Sequence, residues 1–175
     1  MTDNKLNELE SLNKTLRPPR ELGGVFLPSV YEKRFDVVFV AEMPSMNEPA
    51  NDESADNFNF GVTARDKFFQ EMMVKYNVAG SYVTDIVKER SVPGQPTAAE
   101  IQKWLPFLLK EIAIIQPKTI IVLGRRTYVA SFKPFVEPEL ADKNIKIDWV
   151  FHYSNQVPRN KFERRFAKVI GKLVL

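Results

Sequence analysis

Residues Asp36–Ser45 read DVVFVAEMPS. Val37–Val40 is a short apolar run of β-branched and aromatic residues, and it stops at Ala41-Glu42-Met43-Pro44-Ser45. A continuous apolar run of this length suits a strand buried on both faces of a parallel sheet. Glu42 then follows the carboxyl end of that strand, and ligands of open α/β sheets bind in the crevice beyond such ends. On this stretch alone, a loop with a solvated glutamate is the better reading. The rest of the chain changes that.

Working outward, three more runs have strand character: Tyr82–Val87, Lys118–Leu123 and Ile147–Phe151. Helical patterns separate them. Thr63–Tyr76 repeats Phe68, Phe69, Met72 and Met73 on one face. From Thr97 to about Gln116, Ile101, Trp104, Leu105, Leu108, Leu109 and Ile112 form a buried stripe. Thr97 and Glu100 start that helix as a capping box, and Pro106 inside it should kink it. Arg125–Phe135 reads as a short helix and Phe162–Leu175 as a basic amphipathic one. Glu42–Gly61 is a long loop rich in Pro, Asn and Asp, a type usually functional or mobile. Before the first strand, Lys5–Leu16 carries Leu6, Leu9, Leu12 and Leu16 on one face, and Pro18-Pro19 ends it. Glu21–Arg34 reads as an irregular connection. Alternating strands and helices predict a three-layer α/β/α domain with a central, mainly parallel four-stranded sheet. Residues 1–35 are an N-terminal helix and connection packed on the α/β/α domain of residues 36–175, a single domain overall.

Composition sets the chemistry available. The 175 residues are 44% apolar and 27% charged, an ordinary globular balance. No apolar run approaches the ~18 residues of a membrane span. The polar start MTDNKLNELESLNK lacks the apolar core of a signal peptide, which places the protein in the cytoplasm. Cysteine is absent, removing disulfides, thiol catalysis and a cysteine-held iron–sulfur cluster. A single histidine, His152, argues against a zinc site, so neither metal nor cofactor is expected. The net charge of +3 and pI near 9.0 are compatible with a polyanionic partner. The charge is uneven: Arg159, Lys161, Arg164, Arg165, Lys168 and Lys172 cluster near the end, whereas Glu48, Asp52, Glu53 and Asp56 make one loop acidic. No heptad or dimer stripe is visible, so a monomer is the default.

Polar groups stand at or near three predicted strand ends: Glu42, Asp85 and His152. Such a convergence points to a site more strongly than any one of them. Around them run Ala41-Glu42-Met43-Pro44-Ser45, then Tyr82-Val83-Thr84-Asp85-Ile86-Val87-Lys88, Pro96-Thr97-Ala98-Ala99-Glu100-Ile101, Pro106-Phe107-Leu108, Pro117-Lys118, Ile121-Val122-Leu123-Gly124 and His152-Tyr153-Ser154. In this order and spacing the chain resembles the uracil-DNA glycosylase superfamily over about Asp36 to Arg165. The branch typified by the thermostable bacterial and archaeal enzymes is the nearest in pattern, but without its iron–sulfur cysteines; Glu89 and Trp104 stand about where two of them would fall. The family's first motif reads roughly Gly-Glu-Ala-Pro-Gly and its last His-Pro-Ser. Here Ala41, Met43 and Ser45 depart from the first, and Tyr153 from the last.

The resemblance implies a DNA repair enzyme that hydrolyses the N-glycosidic bond of a damaged or deaminated base flipped out of DNA. Glu42 would position or activate water and stabilise the sugar cation; His152 would donate to the base oxygen that gains charge. Met43, Phe58, Phe60 and Asp85 would line the base. Phe60 is the preferred aromatic beneath it, with ordinary core packing as the alternative for either Phe. Asp85 stands where Asn is usual. An Asn amide both donates and accepts, whereas an ionised Asp only accepts; a protonated Asp could still mimic Asn at the cost of a raised pKa. Uracil itself is therefore in question, deaminated purines or another lesion stay open, and the alternative is a purely structural Asp85 in an altered site. Ser154, Asn155, Gln156, Val157 and Arg159 would contact DNA, with Val157 as the apolar wedge. Lys88, Arg90 and the Arg125-Arg126 pair are secondary phosphate candidates. Two alternatives stand beside this reading: a catalytically altered glycosylase fold that binds nucleic acid or a nucleobase without cleavage, and an α/β domain acting on a small nucleotide.

Overall fold

A computed structural model describes residues 2–16, 23–44, 60, 63–89, 94–154 and 157–172. The order of elements is α1 (Thr2–Asn13), β1 (Val25–Leu27), β2 (Arg34–Ala41), α2 (Ala64–Lys75), β3 (Ser81–Asp85), α3 (Ala98–Ile115), β4 (Thr119–Leu123), α4 (Arg125–Thr127), a π-helical turn (Tyr128–Phe132), α5 (Lys133–Phe135), a 3-10 turn (Glu137–Leu140), β5 (Lys146–Val150) and α6 (Arg159–Ile170). The sheet runs β1-β3-β2-β4-β5. β3, β2, β4 and β5 are mutually parallel, and β1 is antiparallel at the edge.

These four parallel strands are the ones read from the sequence. The expected four-stranded sheet becomes five-stranded because Val25–Leu27, assigned to an irregular connection, pairs with Ser81–Val83. Three residues are too few to show an alternating pattern. The strand can lie close because Gly24 has no Cβ: one built there would meet the Tyr82 ring at 2.3 Å.

β2 explains why the sheet is covered on both faces. Val37 to Ala41 are all at most 3% exposed. Val38 and Val40 point into a cluster with Leu9 and Leu16 of the N-terminal segment and Ile101, Leu105, Leu108 and Ile112 of α3. Val37, Phe39 and Ala41 point the other way, against Phe69, Met72 and Met73 of α2 and Phe162, Phe166 and Val169 of α6. β4 alternates likewise, Ile120 and Val122 against Ile121 and Leu123. Each fully buried large apolar side chain contributes roughly 1.5–3 kcal/mol, so two apolar layers fix the register of both central strands.

Both long helices start on capping boxes. Thr97 accepts from the Glu100 amide, and the Glu100 carboxylate accepts from the Thr97 amide; Thr63 and Asp66 repeat this at α2. α3 runs as one helix from Ala98 to Ile115 through Pro106. The Arg125–Phe135 helix is interrupted by its π turn.

Candidate functional site

Four consecutive parallel strands deliver polar groups to one edge. β3 ends at Asp85, β2 is followed at once by Glu42, β4 leads through Gly124 to Arg126, and β5 leads through Phe151 to His152. Ala41 and Asp85 are register partners, and pairing continues past the strand ends, the Ile86 amide donating to Ala41 O and the Val87 amide to Glu42 O. The backbone of Glu42 is therefore fixed beside that of Asp85.

Glu42 is 8% exposed. A buried carboxylate needs partners, and among the described residues it has two: Oε2 accepts from Arg126 Nη2 at 2.9 Å, and Oε1 from the buried Ser131 hydroxyl at 3.0 Å. The Arg126 side chain stays 67% exposed, so the pair sits at the rim of the site.

His152 lies in a stack of rings. Its imidazole is 4.8 Å from the Tyr153 ring at 22°, and Tyr153 is 4.7 Å from Phe69 at 13°. The Ser154 amide donates to His152 Nδ1 at 3.2 Å, and the Ser154 hydroxyl sits 2.6 Å from the same nitrogen. An Nδ1 that accepts leaves the proton of the neutral ring on Nε2. Burial pushes the His152 pKa down to about 4; the Asp66 charge opposes this and Arg126 adds to it. His152 is thus a neutral donor near neutral pH. The same surroundings push the Tyr153 phenol well above its usual range, through burial, the charges of Asp66 and Asp85, and a hydrogen bond with Asp66.

The other predicted residues fall as follows. Asp85 is buried at 2% exposure at the end of β3. Met43 is partly buried against the α3-side core. Phe60 is 3% exposed within the α2/α6-side core, and its carbonyl accepts from Gln70. Ser154 touches His152, as above. Val157 is partly buried against the α6-side core. Arg159 is exposed and lies over the Phe68 ring at 4.8 Å. Phe58, Asn155, Gln156 and Arg90 lie outside the described residues.

Lys88, read as a phosphate candidate, is fully buried instead. Nζ pairs with Glu111 at 2.6 Å and bonds to the Thr84 hydroxyl and the Asp85 carbonyl. Glu111 also accepts from the Tyr82 hydroxyl at 2.8 Å and from Thr84. The lysine anchors the strand end that carries Asp85.

A family model described as the uracil DNA glycosylase superfamily matches residues 28–173. The chain belongs to the uracil-DNA glycosylase superfamily. It is similar to a type-4 uracil-DNA glycosylase of Archaeoglobus fulgidus, 26% identical over 170 residues, covering 85% of this chain and 81% of that protein. A type-4 uracil-DNA glycosylase of Pyrobaculum aerophilum is 30% identical over 101 residues, covering 56% of this chain and 48% of that protein.

The cysteine-held iron–sulfur cluster of some superfamily members does not fit the residues of this one. The chain has no cysteine, Glu89 pairs with Lys103 at 2.6 Å, and the Lys103 ammonium lies 5.1 Å from the Trp104 ring centroid. Among the described residues no group of His, Asp and Glu could hold a metal, and no helix is long and apolar enough to cross a membrane.

Three residues of this superfamily member's site escaped the sequence reading: Ser131 and Asp66 altogether, and Arg126 in its role. A serine within a helix carries no signal of its own. Asp66 closes the capping box that starts α2, a structural role of its own. Arg126 looks like a phosphate ligand until the turn after Gly124 folds it over Glu42.

Proposed function

We propose that this protein hydrolyses the N-glycosidic bond of a damaged or deaminated base flipped out of DNA. The observation that carries the reading is that a buried carboxylate, Glu42, and an imidazole whose Nδ1 accepts from the Ser154 amide, His152, both follow the carboxyl ends of strands of one parallel sheet. The C1′–N bond breaks and its electron pair leaves with the base. The His152 Nε2–H donates to the base oxygen where that charge collects. Water adds to C1′ of the sugar cation, and Glu42 positions it and receives its proton. The products are an abasic site and the base anion, which becomes the neutral free base by taking up a proton as Glu42 gives its own back to solvent. Asp85 faces the base as a carboxylate in place of the usual amide. This supports a base offering N–H donors to it rather than the O4 acceptor of uracil. Exposed Arg159, Lys161, Arg164, Lys168 and Lys172 on and after α6 would meet phosphates and make affinity salt-dependent.

A base-release assay tests this. Oligonucleotides carrying uracil, hypoxanthine, xanthine or only normal bases are incubated with the protein and then cleaved with alkali at abasic sites. Cleavage at one lesion, lost in Glu42→Ala and His152→Ala, is expected. Salt-sensitive DNA binding with no cleavage of any substrate would instead support a binding protein on a glycosylase fold. Glu42 engaged by Arg126 and the bulky Met43 are the features that favour that second reading.

A further inference from the structure

The two donors on Glu42 come from one helical segment and stand five residues apart. In a regular α-helix, side chains five apart point about 140° away from each other, so Arg126 and Ser131 would not reach one carboxylate. Between them the chain is π-helical over Tyr128–Phe132, with the Lys133 amide donating to Tyr128 O. A π turn closes on residue i+5 and brings the two positions onto one face. The segment starts at Gly124, where φ is +109° and a Cβ would lie 3.0 Å from the Thr127 hydroxyl and 3.6 Å from the His152 Cβ. That turn brings the segment against the His152 Cβ, with the Gly124 amide donating to Val150 O. Each carboxylate oxygen has two lone pairs. Among the described residues one donor holds each oxygen, which fixes the rotamer and uses one lone pair on each.

We infer that the π turn serves to place Arg126 and Ser131 on Glu42 as positioning residues that aim its carboxylate at the attacking water. The inference rests on the glycosylase reading of Glu42. It deepens that reading by assigning two residues outside the strand-end motifs to the site. Arg126 bonds to Glu42, and its charge also lowers the His152 pKa.

Single-turnover base release on whichever lesion the wild type cleaves tests it, using Ser131→Ala, Arg126→Gln and Arg126→Lys, each alone and combined with Glu42→Gln. Ser131→Ala and Arg126→Gln are expected to slow the chemical step about ten- to a hundredfold, with half-saturating protein concentration changed less than about twofold. Arg126→Lys should retain more activity than Arg126→Gln. Combined with Glu42→Gln, neither change should slow the reaction further, because both act through that carboxylate. Arg126 is exposed, so its replacement does not threaten folding if Ser131→Ala does. Wild-type cleavage with both variants at wild-type rate would overturn this inference alone, as would an equal loss with and without Glu42. No cleavage by the wild type would overturn the glycosylase reading and this inference with it.

Discussion

The imidazole of His152 rests on the ring of Tyr153, 4.8 Å between centroids and 22° between planes. Tyr153 in turn rests on Phe69, which is fully buried in α2. A residue that departs from the family's last motif is therefore the platform of the proposed donor. Proline would stiffen the loop through its ring; here a stack reaching into the core holds the imidazole in place.

Tyr153→Phe keeps both stacks and loses only the contact with Asp66, so base release should stay within about threefold of wild type. Tyr153→Ala removes the platform, and the rate should fall at least about tenfold, since small misplacements of a catalytic group are costly. Single-turnover rates of the two variants decide it. Equal losses would show that the hydroxyl matters and the stack does not.

His152 is the single histidine of the chain, so its ring protons titrate alone in an NMR spectrum. Its midpoint is expected at about 4, against about 6.5 for an unperturbed ring. Burial is the main cause. Arg126 lowers the value further and Asp66 raises it. Between these two values the unfolded chain binds a proton that the folded one does not. His152 therefore contributes stability that is fully present above about pH 6.5 and is lost as pH falls toward 4. Protonation of His152 should not lower base release between pH 7 and 5. A midpoint near 6.5 would contradict the half-buried, neutral ring.

The four parallel strands were legible because each is a short unbroken apolar run, and a two-faced core demands that pattern. Glu42 and His152 stood out as candidates because they follow such runs, and Asp85 because it interrupts one. β1 was not, since three residues beside Gly24 owe their pairing to Tyr82 rather than to any local pattern. Ser131 was hidden for a related reason: its approach to Glu42 depends on a π turn that the helical period does not show. The fate of Lys88 was hidden because Glu111, its partner, lies 23 residues on in a helix that otherwise reads as apolar.

Asp85→Asn converts an acceptor-only group into one that also donates. Uracil O4 accepts and N3–H donates, so the amide satisfies both. The variant should gain activity on uracil relative to the wild type and lose it on whichever base the wild type prefers. A hydrogen bond to a charged group contributes about 1.5–3 kcal/mol, so the ratio of the two rates should shift by at least about tenfold. The same panel of oligonucleotides measures it. An unchanged ratio would remove Asp85 from base recognition.

Behind Asp85, the Lys88–Glu111 pair is wholly shielded from water at both side chains. Lys88→Met leaves a buried carboxylate without its cation, a loss that typically costs about 3–5 kcal/mol. Lys88→Met with Glu111→Gln should recover part of this. The amide oxygen still accepts from Tyr82 and Thr84, and no uncompensated charge remains. Urea melts of the two variants against wild type give the ordering, wild type above double above single. Lys88 also donates to the Asp85 carbonyl, so the double variant, though more stable than the single, should keep a defect in base selection. A single variant within about 1 kcal/mol of wild type would show that Glu111 does not need the lysine. A double variant with normal base selection would show that the backbone pairing of Ile86 and Val87 holds Asp85 without it.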